Sequence, residues 1–154
     1  MQTNLSKIYK DKTILITGGT GYIGSCLTHA LSKIDCNLKV LSSSSSSWIP
    51  ETNNANMTLL YGDVSNFNLW STILDDVDYI FHFAAQPGIS STSTFEDYFT
   101  NNIIATKHLI DYALKCNSLK LFVNIGTSSI YGLEATFPES IAPKPASHYG
   151  VTKL

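Results

Sequence analysis

Residues 13–24 read Thr-Ile-Leu-Ile-Thr-Gly-Gly-Thr-Gly-Tyr-Ile-Gly, and the rest of the chain is organised around them. The first five residues form an apolar, β-branched run ended by two glycines, the pattern of a short buried strand. From Tyr22 to Lys33 the apolar residues Ile23, Leu27 and Leu31 recur every four positions, the mark of an amphipathic helix. Gly18, Gly21 and Gly24 fall where strand turns into helix. Gly18 permits a tight turn, Gly21 lets an anion approach bare backbone, and Gly24 lets the helix pack close to its strand. Amides and dipole at the start of a helix then favour a phosphate. Three glycines alone are a weak signal; between a first strand and an amphipathic helix they predict a dinucleotide site, with Tyr22 and Ile23 in its first helical turn.

Downstream, short apolar runs alternate with longer helical patterns. Strands are expected at Leu38–Leu41, Met57–Tyr61, Asp78–Ala84 and Lys120–Ile125. Helices are expected at Phe67–Leu74, at Phe95–Lys115 with Ile103, Leu109, Ile110 and Leu114 toward the core, and from about Ser147 onward. Such alternation predicts an α/β fold: a Rossmann-type, doubly wound parallel sheet of about five strands, where the complete fold has about six. Ser42 to Ser47 form a low-complexity loop, and Trp48 and Trp70 are assigned to core edges. No internal repeat or linker interrupts 1–154, which reads as one domain.

Composition excludes several function classes. The chain is 44% hydrophobic and 14% charged with a net charge of −2, which describes a globular protein without the basic field that nucleic acid requires. The polar stretch Met1–Lys12 leads into an apolar run, Ile14-Leu15-Ile16, that is too short for a signal core or a membrane span. Cys26, Cys36 and Cys116 are odd in number and far apart, which suits a reducing cytoplasm. Asp75, Asp76 and Asp78 form an acidic turn without convergent histidine, so no metal is expected. His29 and His108 read as partly exposed helix residues and His82 as a locally bonded strand residue, while His148 is given no role.

Two further places carry chemistry. An acidic residue that bonds the adenosine ribose is expected at the end of the second strand, about 20 residues past the glycine turn. Ser42 stands there, followed by more serines, and the chain contains no arginine, so NAD and NADP both remain open. Asp63, next to Val64 after the third strand, is placed to meet the adenine. Near the end, Tyr149-Gly-Val-Thr-Lys153 sets a tyrosine and a lysine one helical turn apart on one face. A tyrosine with a pKa of about 10 is a poor base at neutral pH, and a neighbouring ammonium favours its ionised form.

Taken in order, Thr17–Gly24, Gly62-Asp63-Val64, His82-Phe83-Ala84-Ala85, Asn102, Thr127–Gly132 and Pro145–Leu154 resemble the extended short-chain dehydrogenase/reductase family, in its nucleotide-sugar epimerase and dehydratase branch. The resemblance covers nearly the whole chain. It implies that Tyr149 takes a proton from a sugar hydroxyl, that Lys153 binds the nicotinamide ribose, and that Thr127 hydrogen-bonds the reacting hydroxyl. It also implies that Ala84 and Ala85 line the cofactor, that Asn102 binds the cofactor and supports the site, and that Gln86 and Ser128 face the substrate.

The shared chemistry of that branch is oxidation at sugar C4 to a ketone. Resembling 4,6-dehydratases carry an Asp-Glu pair directly after the catalytic threonine, where this chain has Ser128 and Ser129; related uronate decarboxylases carry a glutamate at the second of these positions. Epimerisation needs neither, so C4 epimerisation of a UDP-hexose is the favoured reading. Uronate-specific relatives often have an arginine where this chain has Ser90, which favours a neutral hexose. The resemblance also implies a homodimer in the full-length form. With Leu154 one residue past Lys153, the chain is expected to be the N-terminal part of such an enzyme, lacking a C-terminal substrate domain and inactive alone. The other reading left open is an inactive remnant that at most binds a nucleotide cofactor.

Overall fold

The computed structural model describes residues 2–43, 55–66, 68, 74–88, 91–133, 136 and 138–154. Five strands, β1 (Thr13–Thr17), β2 (Asn37–Ser42), β3 (Met57–Tyr61), β4 (Tyr79–His82) and β5 (Leu121–Asn124), form one parallel sheet in the order β3-β2-β1-β4-β5. The chain fills one half of the sheet outward from β1, then returns to lay β4 on the other side of β1. Such a reversal opens a crevice at the carboxyl ends of the two central strands.

β1 is central because both of its faces are apolar. Leu15 enters one core with Leu41, Val77, Ile80 and Leu109, and Ile14 and Ile16 enter the other with Leu31, Leu38 and Val40. Ile14, Leu15 and Ile16 are fully buried, as a parallel strand covered on both faces requires. Helix α2 (Tyr22–Leu31) stops two residues earlier than the expected Lys33, with Ser32 as its cap.

An N-terminal helix, α1 (Gln2–Tyr9), is absent from the sequence reading, which saw only a polar, lysine-bearing stretch. It covers β4 through Tyr9, whose ring meets Tyr79 edge-on at 5.0 Å and Phe81 at 6.3 Å. The long helix α3 (95–113) is not uniform: it runs as α-helix over Phe95–Tyr98, π-helix over Phe99–Ile104 and α-helix over Ala105–Ala113. A π segment slips the helical register, so a reading at 3.6 residues per turn misplaces the faces. Leu109 is buried as expected, but Ile110 is 43% and Leu114 82% exposed. Ile23, read as part of the apolar repeat of this helix and of the dinucleotide site's first turn, is 58% exposed on the open start of α2.

β4 is shorter than the expected Asp78–Ala84; at its start the Asp78 backbone still bonds to Thr13 and Lys120, and its side chain accepts from the Thr13 amide at 2.9 Å and pairs with Lys120 at 2.8 Å. The helix expected from Phe67 falls mostly outside the described residues, as do Trp48, Trp70, Ser90 and the serines from 44 to 47.

The coverage of β4 by α1 is testable. Tyr9→Ala should lower stability by about 1–3 kcal/mol in urea denaturation. Leu114→Ser, at an exposed position, should stay within about 0.5 kcal/mol. Equal losses at the two positions would contradict this packing.

Candidate active site

The glycine turn is built by contacts that exclude a Cβ. Gly18 has φ +66°, and a Cβ on it would stand 2.7 Å from the Ala84 nitrogen, so β1's turn and β4's exit run backbone against backbone. A Cβ on Gly24 would meet the Gly18 oxygen at 2.3 Å, which seats α2 directly on the turn. Gly21 caps α2 without any side-chain hydrogen bond and donates its own amide to the Gly18 oxygen at 3.0 Å. Tyr22 and Ile23 are exposed on the first turn of α2.

Around this turn lies a cleft of about 350 Å³, walled by Gly18, Thr20, Gly21, Leu41, Ser42, Ser43, Gly62, Asp63, Val64, Phe83, Ala84, Ala85, Gln86 and Asn101. The carboxyl ends of β1, β2, β3 and β4 thus meet at one place, the crevice the strand order predicts. Gly18, Gly21, Ser42, Asp63, Val64, Ala84, Ala85 and Gln86 are brought together as the sequence reading expects. Thr20, Ser43, Gly62, Phe83 and Asn101 also line the cleft without a role assigned from the sequence; Thr20 could have been given one, since it sits inside the glycine turn.

Behind the cleft, buried polar side chains fix its walls. His82 is fully buried; its Nδ1 lies 2.5 Å from Thr17 Oγ1 and its Nε2 2.9 Å from Thr106 Oγ1. Burial, and secondly the charge of Lys153, push its pKa down from 6.5 to about 4, so the ring is neutral at pH 7. Asn102, in the π segment, is 4% exposed. Its Oδ1 accepts from the Gln86 amide at 2.7 Å, and its Nδ2 donates to the Gln86 oxygen at 3.3 Å and to Thr152 Oγ1 at 3.0 Å. Asn102 therefore lies behind Gln86, supporting the cleft from outside its lining.

The tyrosine–lysine pair sits on a short helix, α4 (His148–Thr152), capped by Ser147, whose Oγ accepts from the Gly150 amide at 3.0 Å. The Lys153 backbone amide donates to the Tyr149 carbonyl at 3.0 Å, which sets the two residues one turn apart. Gly150 is buried because a Cβ there would stand 2.5 Å from the Ser129 oxygen. This contact seats α4 on the 3-10 turn Ser128–Tyr131, whose N-cap is Thr127. Thr127 Oγ1 accepts from the Ser129 amide at 3.2 Å, and Ser128 is exposed. The Tyr149 ring lies over Gly88, where a Cβ would meet Cδ1 at 2.7 Å. Gly88 is two residues past Gln86, so the loop that ends the cleft passes beneath the tyrosine.

Lys153 is half-buried, and burial lowers its pKa. It lines a second cavity of about 310 Å³, with Asn102, Thr106, Asn124 and Thr152 among its neighbours, rather than the glycine-turn cleft. Of the pair, then, Tyr149 adjoins the cleft's terminal loop and Lys153 faces the α3 side. Cys36 is buried and Cys26 exposed, both away from the cleft lining.

Fold and cleft together define a class: a parallel α/β domain with a glycine-walled cleft where its strand order reverses. The glycine cradle leaves backbone, not side chains, facing the crevice, as a pyrophosphate requires. The chain belongs to the NAD dependent epimerase/dehydratase family, which it matches over residues 14–154. It is 34% identical over 164 residues to an uncharacterized UDP-glucose epimerase, YtcB, of Bacillus subtilis (strain 168), covering 92% of this chain and 48% of that protein. Among solved structures, it is similar to UDP-N-acetylglucosamine 4-epimerase from Methanobrevibacter ruminantium M1 in complex with UDP-N-acetylmuramic acid (TM-score 0.81, 31% identity, 94% of this chain, 47% of that one). It is also similar to UDP-glucuronic acid 4-epimerase from Bacillus cereus in complex with UDP-glucuronic acid and NAD (TM-score 0.77, 32% identity, 92% and 48%). UDP-glucose 4,6-dehydratases match as well. The chain spans about half the length of the relatives just described, or less. No helix among the described residues is long and apolar enough to cross a membrane.

Two outcomes follow from the buried polar groups. The folded His82 binds its proton less tightly than the unfolded chain does. Its contribution to stability is therefore complete above pH 6.5 and declines as the pH falls toward 4. The decline should reach up to about 3 kcal/mol in wild type and flatten in His82→Gln; equal slopes in urea denaturation would contradict it. Asn102→Ala, which strands the Gln86 amide, should cost about 2–4 kcal/mol by the same measurement.

Proposed function

We propose that this chain is the cofactor-binding domain, one unit over 1–154, of a NAD-dependent enzyme that epimerises a UDP-hexose at C4. The observation that carries the reading is the seating of α4: it sets Tyr149 over the loop ending the cleft and packs on the turn capped by Thr127. Gly18, Gly21, Tyr22, Ile23 and Gly24 would hold the pyrophosphate. Ser42, Asp63 and Val64 would hold the adenosine end, and Ala84 and Ala85 would leave room for the nicotinamide half. NAD supplies a hydride acceptor there when bound.

Tyr149 would take the proton from the sugar C4 hydroxyl, with Thr127 orienting that hydroxyl and Lys153 favouring the ionised tyrosine. Gln86 and Ser128 would contact the sugar. Epimerisation asks for no further acid, whereas loss of water asks for one, and Ser128 and Ser129 supply none. Ser90, where uronate-specific relatives often carry an arginine, favours a neutral hexose over a uronate. A homodimer and a cytoplasmic setting belong to the same reading.

Incubating the full-length protein with UDP-glucose should yield the C4 epimer, and Tyr149→Phe should slow that conversion by about a thousand-fold. A stable 4-keto-6-deoxy sugar nucleotide, without the C4 epimer, would reject epimerisation in favour of dehydration.

A further inference from the structure

Besides Gly88, the Tyr149 ring has a second neighbour to which no role has been given. Tyr98, in the first turn of α3, is 5% exposed. A buried tyrosine needs a partner for its hydroxyl, and this one donates to the Pro87 carbonyl at 3.4 Å. Its ring centroid lies 6.3 Å from that of Tyr149, tilted by 54°, and 6.4 Å from that of His148, at 66°. Both are geometries of attractive aromatic pairs. Phe95, on the same turn, meets His148 edge-on at 5.2 Å, so the opening turn of α3 carries the first two residues of α4. That turn is itself pinned by a cap: Thr94 Oγ1 accepts from the Asp97 amide at 3.3 Å, and Asp97 Oδ2 accepts from the Thr94 amide at 2.7 Å.

These contacts close a circuit. Asn102 holds the backbone of Gln86, Tyr98 holds that of Pro87, and the next residue, Gly88, is the one whose missing side chain makes room for the Tyr149 ring. Tyr98 therefore acts on Tyr149 twice, directly through its ring and indirectly through the backbone on which that ring lies. A ring bounded by two fixed neighbours is confined to one staggered χ1 well, which sets where its hydroxyl points. A reacting group displaced by about 1 Å can lose about 100-fold in rate, so such confinement bears on chemistry and not only on packing.

We propose that Tyr98 is a positioning residue: its ring and its bond to Pro87 confine Tyr149 to one rotamer and so aim the phenol hydroxyl. The role rests on reading Tyr149 as the base, but the confinement is measurable without turnover. In the isotope-labelled 154-residue chain, the three-bond couplings from the Tyr149 Cγ to its backbone nitrogen and carbonyl carbon should report a single χ1 rotamer. Tyr98→Leu, which removes the ring, should average them strongly, and Tyr98→Phe, which removes only the hydroxyl, should average them in part; those of Tyr79 should not change in either. Averaged wild-type couplings, or couplings unchanged in either folded variant, overturn the inference, and Tyr98→Phe decides if Tyr98→Leu does not fold. In the full-length protein with UDP-glucose, kcat should fall by about three-fold to ten-fold in Tyr98→Phe and by about 100-fold in Tyr98→Leu, with KM within about three-fold of wild type. A merely structural role would lower the folded fraction and leave kcat per folded molecule unchanged. Averaged couplings with an unchanged kcat overturn the positioning role alone. A wild-type protein that does not turn over UDP-glucose sinks the epimerase reading instead, and the couplings then decide the confinement by themselves.

Discussion

The side-chain amide of Asn102 joins the two halves of the site. Its oxygen and nitrogen both engage the backbone of Gln86, the last residue of the β4 exit that lines the cleft, and its nitrogen also reaches Thr152 on α4. Thr152 Oγ1 in turn donates to the Tyr149 backbone carbonyl at 3.1 Å. One buried side chain thus couples the wall of the cleft to the helix carrying the tyrosine. The task needs a group that donates and accepts at once; a carboxylate would leave the Thr152 side without a donor, and an apolar residue would strand the Gln86 amide. The π segment of α3 is where this group is presented, in keeping with the tendency of π-bulges to mark functional positions.

Glycines supply the second constraint, through close approaches between segments far apart in sequence. Gly18 runs against Ala84, Gly88 lies beneath Tyr149, and Gly150 rests on the Ser129 carbonyl. At each a Cβ would stand under 3 Å from its neighbour, so any side chain would push two walls apart. The first contact closes the crevice between β1 and β4, and the other two fix α4. His82, neutral and bonded on both ring nitrogens, ties β1 and β4 to α3 beneath them.

Much of this was legible in the residues. β1 and β3 have the bounds read from their apolar runs, and the glycine turn, Ser42, Asp63 and Ala84–Gln86 meet in one cleft. What escaped the reading has identifiable causes. α1 is an eight-residue helix whose apolar signal rests on few positions, so nothing local distinguishes it from a polar leader. The π segment leaves no periodic trace, and exposed Ile110 and Leu114 were assigned to the core as a result. Lys153 could be set one turn from Tyr149 by spacing, but its direction toward the α3 side depends on tertiary packing. The resemblance gave Asn102 a supporting role, but its partners, 16 and 50 residues away, could not be read from the residues.

The central claim is that the glycine turn and the Tyr149 helix serve one site. The most direct measurement is a backbone amide NMR titration of the chain with NAD. The shifts should cover Gly18–Gly24, Ser42, Ser43 and Ala84–Gln86 and extend, at the same ligand concentrations, to Gly88, Tyr149 and Lys153. Shifts confined to the turn and the β2 end, with Gly88, Tyr149 and Lys153 unmoved at saturation, would contradict it.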